Sequence, residues 1–224
     1  MQKTCIVITS HRGLEDETAD CLNALNCPSI IKLKGLANLD KARSIAFDKA
    51  FVGTEGTPVD TILSLDDDML FAPESAQALV EASRQTGELC SAVYLTAQGT
   101  VAARAIPVEV EIPGAPIRWL VGLGALAIPR RKMAEIRPML REIGGIPAWC
   151  QTGNHPSFDG EWLNEDYWFC HSLGGALLVP VAFGHLKKLP IWPDGRMLRS
   201  VADPRAQYLN AHEKRSPGGI ILRG

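Results

Sequence analysis

Three consecutive aspartates, Asp66, Asp67 and Asp68, are the residues of this chain best suited to chemistry. They follow the apolar run at residues 59–65, which is typical of a buried β-strand. Adjacent carboxylates repel one another, and a hard divalent cation relieves that repulsion and can also bridge phosphate oxygens. Side chains two positions apart in an extended chain point the same way, so Asp66 and Asp68 form the natural pair for such an ion. The alternative is a solvated acidic turn before the next helix.

The elements that must position this turn alternate between strand and helix. The predicted strands of the first half are residues 5–9, 29–33 and 59–65. The predicted helices are residues 14–25, 38–50 and 73–85, the second capped by Asn38 and the third opened by Pro73. This order predicts an α/β fold with a mixed, mostly parallel sheet flanked by helices. Ligands of such sheets bind beyond the carboxyl ends of the strands, where the aspartates would lie.

The second half of the chain is less regular. Its predicted strands are residues 88–95, 101–111, 122–128 and 176–183, and its predicted helices are 129–142 and 165–173. Residues 144–164 are rich in Gly, Pro, Trp and Asn and have no period, which predicts a long loop of the kind that often acts as a lid. We therefore predict a main domain at residues 1–189 and a basic, partly extended C-terminal segment at 190–224.

Composition excludes several classes of protein. The chain is 46% hydrophobic with a formal net charge of −2, which argues against disorder and against a generally basic nucleic-acid coat protein. Its six cysteines form no Cys-x-x-Cys pair, which favours reduced thiols over a zinc ribbon. No apolar run reaches the roughly 20 residues of a membrane span. We therefore expect a cytoplasmic protein without a membrane span.

The order of these motifs resembles the GT-A fold, the Rossmann-like fold of family 2-like, nucleotide-sugar-dependent glycosyltransferases. In that fold an Asp-x-Asp motif ends a central strand and holds Mn²⁺ or Mg²⁺ on the donor diphosphate, and Asp66-Asp67-Asp68 matches it. Four more segments match in the expected order. They are the first strand and turn at 6–11, the Ala-Arg helix at 38–46, the glycine strand at 122–130 and the Glu-Asp-x-x-Phe-Cys motif at 165–170. The resemblance covers roughly residues 4–186.

The resemblance implies a metal site and a catalytic base. Asp66 and Asp68 would ligate the metal, and His185, after the strand at 176–183, matches the position of a third ligand. Imidazole suits Mn²⁺ better than Mg²⁺, although an isolated His after a strand is more often a packing residue. Glu165 or Asp166 would accept the proton of the acceptor hydroxyl, and Asp166 is preferred because the aspartate of this pair is the usual base in the family. The alternative is that both carboxylates only stabilise the start of a helix.

The remaining implied contacts are with the donor. Arg43 would offset the charge of the diphosphate, unless it pairs with Asp40 or Asp48 on its own helix. Asp67 would bind ribose or sugar hydroxyls. Which of the three aspartates ligate the metal and which binds these hydroxyls is left open. The other implied donor contacts are Thr9, Ser10 and His11 at the base or ribose and Gly122 and Gly124 beside the sugar. Three tryptophans would stack on a ring or pack in the core, namely Trp149, Trp162 and Trp168.

The implied function is transfer of a sugar from a nucleoside-diphosphate sugar to a hydroxyl acceptor, with a cation neutralising the departing diphosphate. An inverting course follows if Asp166 is the base, and retaining relatives share the fold. Residues 1–180 carry a net charge of −7 and residues 181–224 carry +5. The basic segment would suit an anionic acceptor such as a modified DNA base or a phosphorylated glycan, and it would equally suit donor phosphates or a solvated end. The alternatives are a nucleotidyltransferase or a non-catalytic nucleotide-binding protein, and the oligomeric state is left open.

Overall fold

The computed structural model describes most of the first 201 residues. The described ranges are 1, 3–10, 13–35, 38–53, 59–96, 100–106, 116–155, 161–190 and 197–201, of which 187–190 and 197–201 are described as backbone. His11, part of the predicted strand at 101–111 and most of the segment after 190 lie outside the described residues.

The described chain contains five helices and fifteen strands. The helices are α1 (Asp16–Ala24), α2 (Leu39–Val52), α3 (Pro73–Thr86), α4 (Arg130–Ile136) and α5 (Glu165–Ser172), with a 3-10 turn at Arg137–Met139. The strands are β1 (Thr4–Ser10), β2 (Ser29–Lys34), β3 (Thr61–Asp66), β4 (Met69–Leu70), β5 (Leu89–Val93), β6 (Ala103–Ala105), β7 (Trp119–Val121), β8 (Ala125–Pro129), β9 (Glu142–Ile143), β10 (Ile146–Pro147), β11 (Gly153–Asn154), β12 (Trp162–Leu163), β13 (Ala176–Ala182), β14 (Gly184–Pro190) and β15 (Met197–Val201).

Eight of these strands form a central sheet in the order β2-β1-β3-β8-β5-β13-β7-β6. Strands β7 and β8 run against the other six, so the sheet is mixed and mostly parallel. Helices cover both of its faces, which confirms the α/β fold class predicted from the alternating pattern. The carboxyl ends of β1 and β3 lie at the same edge, because the two strands pair in parallel with Thr9 opposite Asp66.

Strand β1 shows how the sheet is held between two apolar layers. Its residues Cys5 and Val7 pack in one cluster with Phe47 of α2, while Ile6 and Ile8 pack in the other with helices α1 and α3. All four side chains are at most 2% exposed. A strand buried on both faces reads as a continuous apolar run, and this explains why the sequence pattern located it.

The predicted elements of the first half are confirmed to within a few residues. Asn38 caps α2 as expected, since its Oδ1 accepts a hydrogen bond from the Lys41 N–H at 2.7 Å. The prediction of a helix over 129–142 was wrong in its second part, because α4 ends at Ile136 and Pro138 lies in the 3-10 turn that follows. The predicted strand at 122–128 starts only at Ala125, after a turn.

The long aperiodic segment at 144–164 forms short antiparallel pairs in its described part. Strand β10 pairs with β9, which lies just before the segment, and β11 pairs with β12. Strands β14 and β15 also pair, across the predicted domain boundary at 189, and the division of the chain there stays a prediction. All six cysteines are free thiols. Among the described helices, none is long and apolar enough to cross a membrane.

Candidate metal and carboxylate site

The acidic turn is fixed between the central sheet and a smaller one. Asp66 is the last residue of β3, and Asp67 and Asp68 turn the chain into β4. Strand β4 pairs with β14 so that His185 lies opposite Met69, and the Leu186 N–H donates to the Asp68 carbonyl at 2.8 Å. Two segments more than a hundred residues apart therefore meet at the turn.

This pairing brings together the three predicted metal ligands, Asp66, Asp68 and His185. One ligand atom from each lies within 4.8 Å of the others, and Asp68 Oδ1 is 2.9 Å from His185 Nε2. On the other side of the ring, His185 Nδ1 is 2.8 Å from the Leu95 carbonyl oxygen. A carbonyl oxygen only accepts, so Nδ1 carries the proton and donates, and Nε2 faces the carboxylates. Histidines that bind metals commonly have this second contact. The two carboxylates and one imidazole fit Mn²⁺, and their role as ligands stays a prediction.

A buried arginine links the acidic turn to the start of α5. Arg43 of α2 is 6% exposed, and its Nη2 contacts Asp66 Oδ1 at 3.1 Å. Its Nη1 contacts Glu165 Oε1 at 2.8 Å and also bonds Asp166 Oδ1. Burial works to lower the pKa of Arg43, but Asp166 and Asp66 raise it above its ordinary value. Among the described residues, the ion-pair partners of Arg43 are these three carboxylates. Asp40 and Asp48, on its own helix, do not pair with it.

Aromatic stacking between two helices sets the position of this ion cluster. Phe47 of α2 stacks on Phe169 of α5, with ring centroids 4.7 Å apart and planes 8° from parallel. Arg43 lies one turn before Phe47, and the acidic pair lies one turn before Phe169. The rings thus fix the two helix starts against each other, and the guanidinium meets the carboxylates.

Asp166 has the ionisation expected of a proton acceptor. Burial raises the pKa of Asp166 to about 7. The nearby Arg43 lowers this pKa, while Asp66 and Glu165 raise it further. A carboxyl group with a pKa near the working pH exchanges a proton readily. Asn164 caps α5 through a hydrogen bond from the Tyr167 N–H to its Oδ1 at 3.0 Å, so the acidic pair starts a defined helix.

Tyr94, just after β5, is a site residue that sequence reasoning missed. It is 4% exposed, and its hydroxyl accepts a hydrogen bond from the Gly124 N–H at 3.1 Å. Its ring lies edge-on to His185 with centroids 5.8 Å apart. Burial, with smaller contributions from Asp66 and Asp166, raises the pKa of Tyr94 well above its ordinary value, so the phenol stays neutral. The one available signal was its place at the carboxyl end of a predicted strand.

The two predicted glycines contact protein atoms. A Cβ atom at Gly122 would collide with the Tyr94 hydroxyl, and one at Gly124 would lie 2.7 Å from Asp66 Oδ2. These contacts alone require residues without a side chain at both positions. Their contact with a donor sugar stays a prediction.

A cleft of about 680 Å³ opens at this edge of the sheet. The predicted residues that line it are Thr9, Ser10, Arg43, Asp66, Asp67, Asp68 and His185. Ser10 Oγ is hydrogen-bonded to Asp67 Oδ2 and accepts from the Gly13 N–H at 2.7 Å. Burial raises the pKa of Asp67, and the bond from Ser10 lowers it.

The three tryptophans occupy different environments. Trp149 is fully buried in the core beside Phe51, so it packs rather than stacks on a ligand. Trp168 is partly buried against His155, with ring centroids 4.6 Å apart. Trp162 is 68% exposed.

Comparisons with known proteins extend the description of the fold. No protein-family model matches the chain, and no curated protein sequence matches it. The crystal structure of A197 from STIV has a TM-score of 0.55 at 18% identity, and the match covers 88% of this chain and 93% of that one. This likeness shows a shared fold.

Two further solved structures match at lower scores. GalNAc-T7 with UDP, GalNAc and Mn²⁺ has a TM-score of 0.48 at 16% identity, covering 86% of this chain and 44% of that one. A putative glucose-1-phosphate thymidylyltransferase from Bacillus anthracis in complex with a sucrose has a TM-score of 0.40 at 13% identity, covering 80% and 69%. Scores at this level carry no conclusion about activity.

Proposed function

We propose that this protein is a metal-dependent glycosyltransferase of the GT-A type, which moves a sugar from a nucleoside-diphosphate sugar to a hydroxyl acceptor. One observation carries the proposal: the triad Asp66, Asp68 and His185 lies next to Arg43, which joins it to the acidic pair at 165–166. A cation site and a carboxyl group with a pKa near neutrality thus share one edge of the sheet.

Asp66, Asp68 and His185 would hold Mn²⁺ or Mg²⁺. The bound ion supplies positive charge that neutralises the departing nucleoside diphosphate. The Leu95 carbonyl holds the ring of His185 in the orientation that presents Nε2 to the site. The edge contact with Tyr94 restricts the same ring from the side.

The cleft residues would hold the donor. Arg43 lines its wall, and a bound diphosphate would compete with Asp66, Glu165 and Asp166 for its guanidinium. The bonded pair of Ser10 and Asp67 offers a hydroxyl and a carboxylate to sugar or ribose hydroxyls. Thr9, at the end of β1, borders the same space.

Asp166 would act as the base. Its carboxylate takes the proton of the acceptor hydroxyl while that oxygen forms a bond to the anomeric carbon. The bond from this carbon to the diphosphate oxygen breaks, and its electron pair leaves with the nucleoside diphosphate. A single displacement of this kind inverts the anomeric centre.

A binding screen followed by a turnover assay tests the proposal. We expect one of UDP, GDP, CDP and dTDP to raise the melting temperature only with Mn²⁺, and the matching nucleotide sugar to be slowly hydrolysed. Asp68→Asn should abolish both effects, whereas Asp20→Asn, on the exposed face of α1, should leave them unchanged. Nucleoside diphosphate binding that is the same with and without Mn²⁺ would contradict the proposed metal site. Consumption of a nucleoside triphosphate and sugar phosphate instead would indicate a nucleotidyltransferase.

A further inference from the structure

A separate cavity lies at the opposite edge of the central sheet from the cleft. Strand β3 joins the two places, since Asp66 at its end lines the cleft and Thr61 at its start lines the cavity. The cavity has a volume of about 670 Å³. Three arginines line it, namely Arg84, Arg130 and Arg131, and we call it the arginine cavity. Its position leaves it outside the proposed reaction.

Backbone carbonyl groups hold two of these arginines in place. Arg130 Nε donates to the Phe51 carbonyl at 2.8 Å, and its guanidinium carbon lies 4.5 Å from the centroid of the Phe51 ring. Arg131 donates to the Gly87 carbonyl from Nε at 3.3 Å and from Nη2 at 2.9 Å. A Cβ atom at Gly87 would collide with this guanidinium, so the glycine makes room for it. Because both groups are already positioned, a ligand that binds them has little ordering cost to overcome.

These bonds leave the positive charge of Arg130 and Arg131 uncompensated, because a carbonyl oxygen carries no net charge. Of the arginines whose side chains are described, five pair with a carboxylate: Arg43, Arg84, Arg104, Arg118 and Arg137. Arg130, Arg131 and Arg141 form no ion pair with a described residue. Two of these three therefore line one cavity. Its one described carboxylate, Asp60, is paired with Arg84 at 2.9 Å, so the cavity carries two net positive charges.

We propose that the arginine cavity binds phosphate, either as the free ion or as the phosphate group of a small molecule. The planar guanidinium fork matches the oxygen geometry of phosphate, and Arg130 and Arg131 supply the compensating charge. A volume of about 670 Å³ is typical of small-molecule sites and leaves room for a body beside the phosphate. The site is a binding site apart from the cleft, and it does not depend on the function proposed above.

Three probes test the chemistry of the arginine cavity: inorganic phosphate, ribose 5-phosphate and ribose. Their binding to the whole protein is measured by calorimetry in EDTA, at an ionic strength held constant with chloride. Without a metal the cleft disfavours anions, because five carboxylates and a single arginine line it. We expect both phosphate probes to bind and ribose not to bind. Tighter binding of ribose 5-phosphate assigns the site to a phosphorylated molecule, and equal affinity assigns it to the free ion. Absence of phosphate binding, or ribose binding as tight as that of ribose 5-phosphate, would overturn the proposal.

Matched variants locate the binding. Arg130→Gln and Arg131→Gln should each weaken phosphate binding by about tenfold, because each removes charge-assisted hydrogen bonds. The control is Arg141→Gln, an exposed arginine without a carboxylate partner among the described residues, which lies outside the cavity and should not change the affinity. Phosphate binding that is unchanged in both cavity variants would place the probe elsewhere, for example on the basic segment at 190–224, and would overturn the proposal.

A second pair of variants tests the site without removing any arginine. Ala134 lines the cavity from an exposed position on α4, so a larger polar side chain is tolerated there. Ala134→Glu and Ala134→Gln add side chains of nearly equal size that differ in charge. We expect the glutamate to weaken phosphate binding at least about fivefold relative to the glutamine. Equal affinity of these two variants would overturn the proposal, even if an arginine variant proves too unstable to measure.

Discussion

Replacing Arg43 with methionine should destabilise the fold, because it leaves three carboxylates together without their cation. Methionine keeps a similar length and removes the charge. Arg43 is 6% exposed, and the carboxylate side chains of Asp66, Glu165 and Asp166 are 27%, 16% and 19% exposed. Removing one partner of a buried ion pair costs about 3–5 kcal/mol. The partial exposure of the carboxylates favours the lower end, about 3 kcal/mol at neutral pH.

The loss should depend on pH in a defined direction. The pKa of Asp166 is about 7 in the folded protein, and removing Arg43 removes the charge that lowers it. Because the folded-state pKa of Asp166 lies above its unfolded value of about 4, Asp166 contributes to stability at low pH. This contribution is lost as the pH rises through the folded-state pKa. The penalty of Arg43→Met should therefore be larger at pH 7.5 than at pH 5.

Urea unfolding at the two pH values measures this penalty. With a slope of about 3 kcal/mol per molar urea, a loss of about 3 kcal/mol shifts the midpoint by about 1 M. The control is Arg84→Met. It removes an ion pair at 2.9 Å to Asp60, whose side chain is 50% exposed, and a hydrogen bond at 3.0 Å to Thr4 Oγ1, and it should cost about 1–2 kcal/mol. If Arg43→Met costs no more than this control at pH 7.5, the electrostatic reasoning about the cluster is refuted.

Three further predictions concern the proposed chemistry and its supports. Turnover of the nucleotide sugar should rise with pH through about 7 as Asp166 loses its proton, and Asp166→Asn should lower kcat by about 10²–10⁴-fold in a steady-state assay. His185→Gln should weaken Mn²⁺ binding by at least about tenfold in an electron paramagnetic resonance titration. Tyr94→Phe should cost about 1–3 kcal/mol in urea unfolding, because the buried Gly124 N–H loses its acceptor.

Each of these three has a matched control and a contradicting outcome. A flat pH profile between 6 and 8 would argue against Asp166 as the base. The control for the metal titration is His155→Gln, since His155 packs on Trp168 outside the triad, and equal Mn²⁺ affinity in both variants would exclude His185 as a ligand. Tyr167→Phe, on a partly buried tyrosine, is the control for Tyr94. Equal stability of these two variants would contradict the proposed hydrogen bond.

Local patterns predicted the elements that depend on local physics. Strands buried on both faces read as continuous apolar runs, so β1 and β3 were located from sequence, and the acidic turn followed from the end of β3. The break after Ile136 also had a local signal in Pro138, which the helical periodicity outweighed.

Contacts between distant segments could not be predicted in the same way. The three bonds of Arg43 join α2 to residues 23, 122 and 123 positions away, and no pattern along the chain encodes such a meeting. Tyr94 was missed because an aromatic residue at a strand end reads as core, and only the fold shows Gly124 and His185 beside it. The resemblance to a family indicated which residues are candidates for the site. It did not indicate that Arg43 would form ion pairs with Glu165 and Asp166.

The pairing of β14 with β4 makes the triad depend on a contact between distant parts of the chain. Only two residue pairs join these strands, and one of them contains His185. During synthesis the aspartates emerge long before this histidine, so the triad forms only when the later strand has docked. A cation bound by all three residues would stabilise the docked position of that strand. At a free concentration one hundred times its Kd, it would lower the free energy of the docked state by about 2.7 kcal/mol. Metal binding would then shift the equilibrium of this strand towards the docked state.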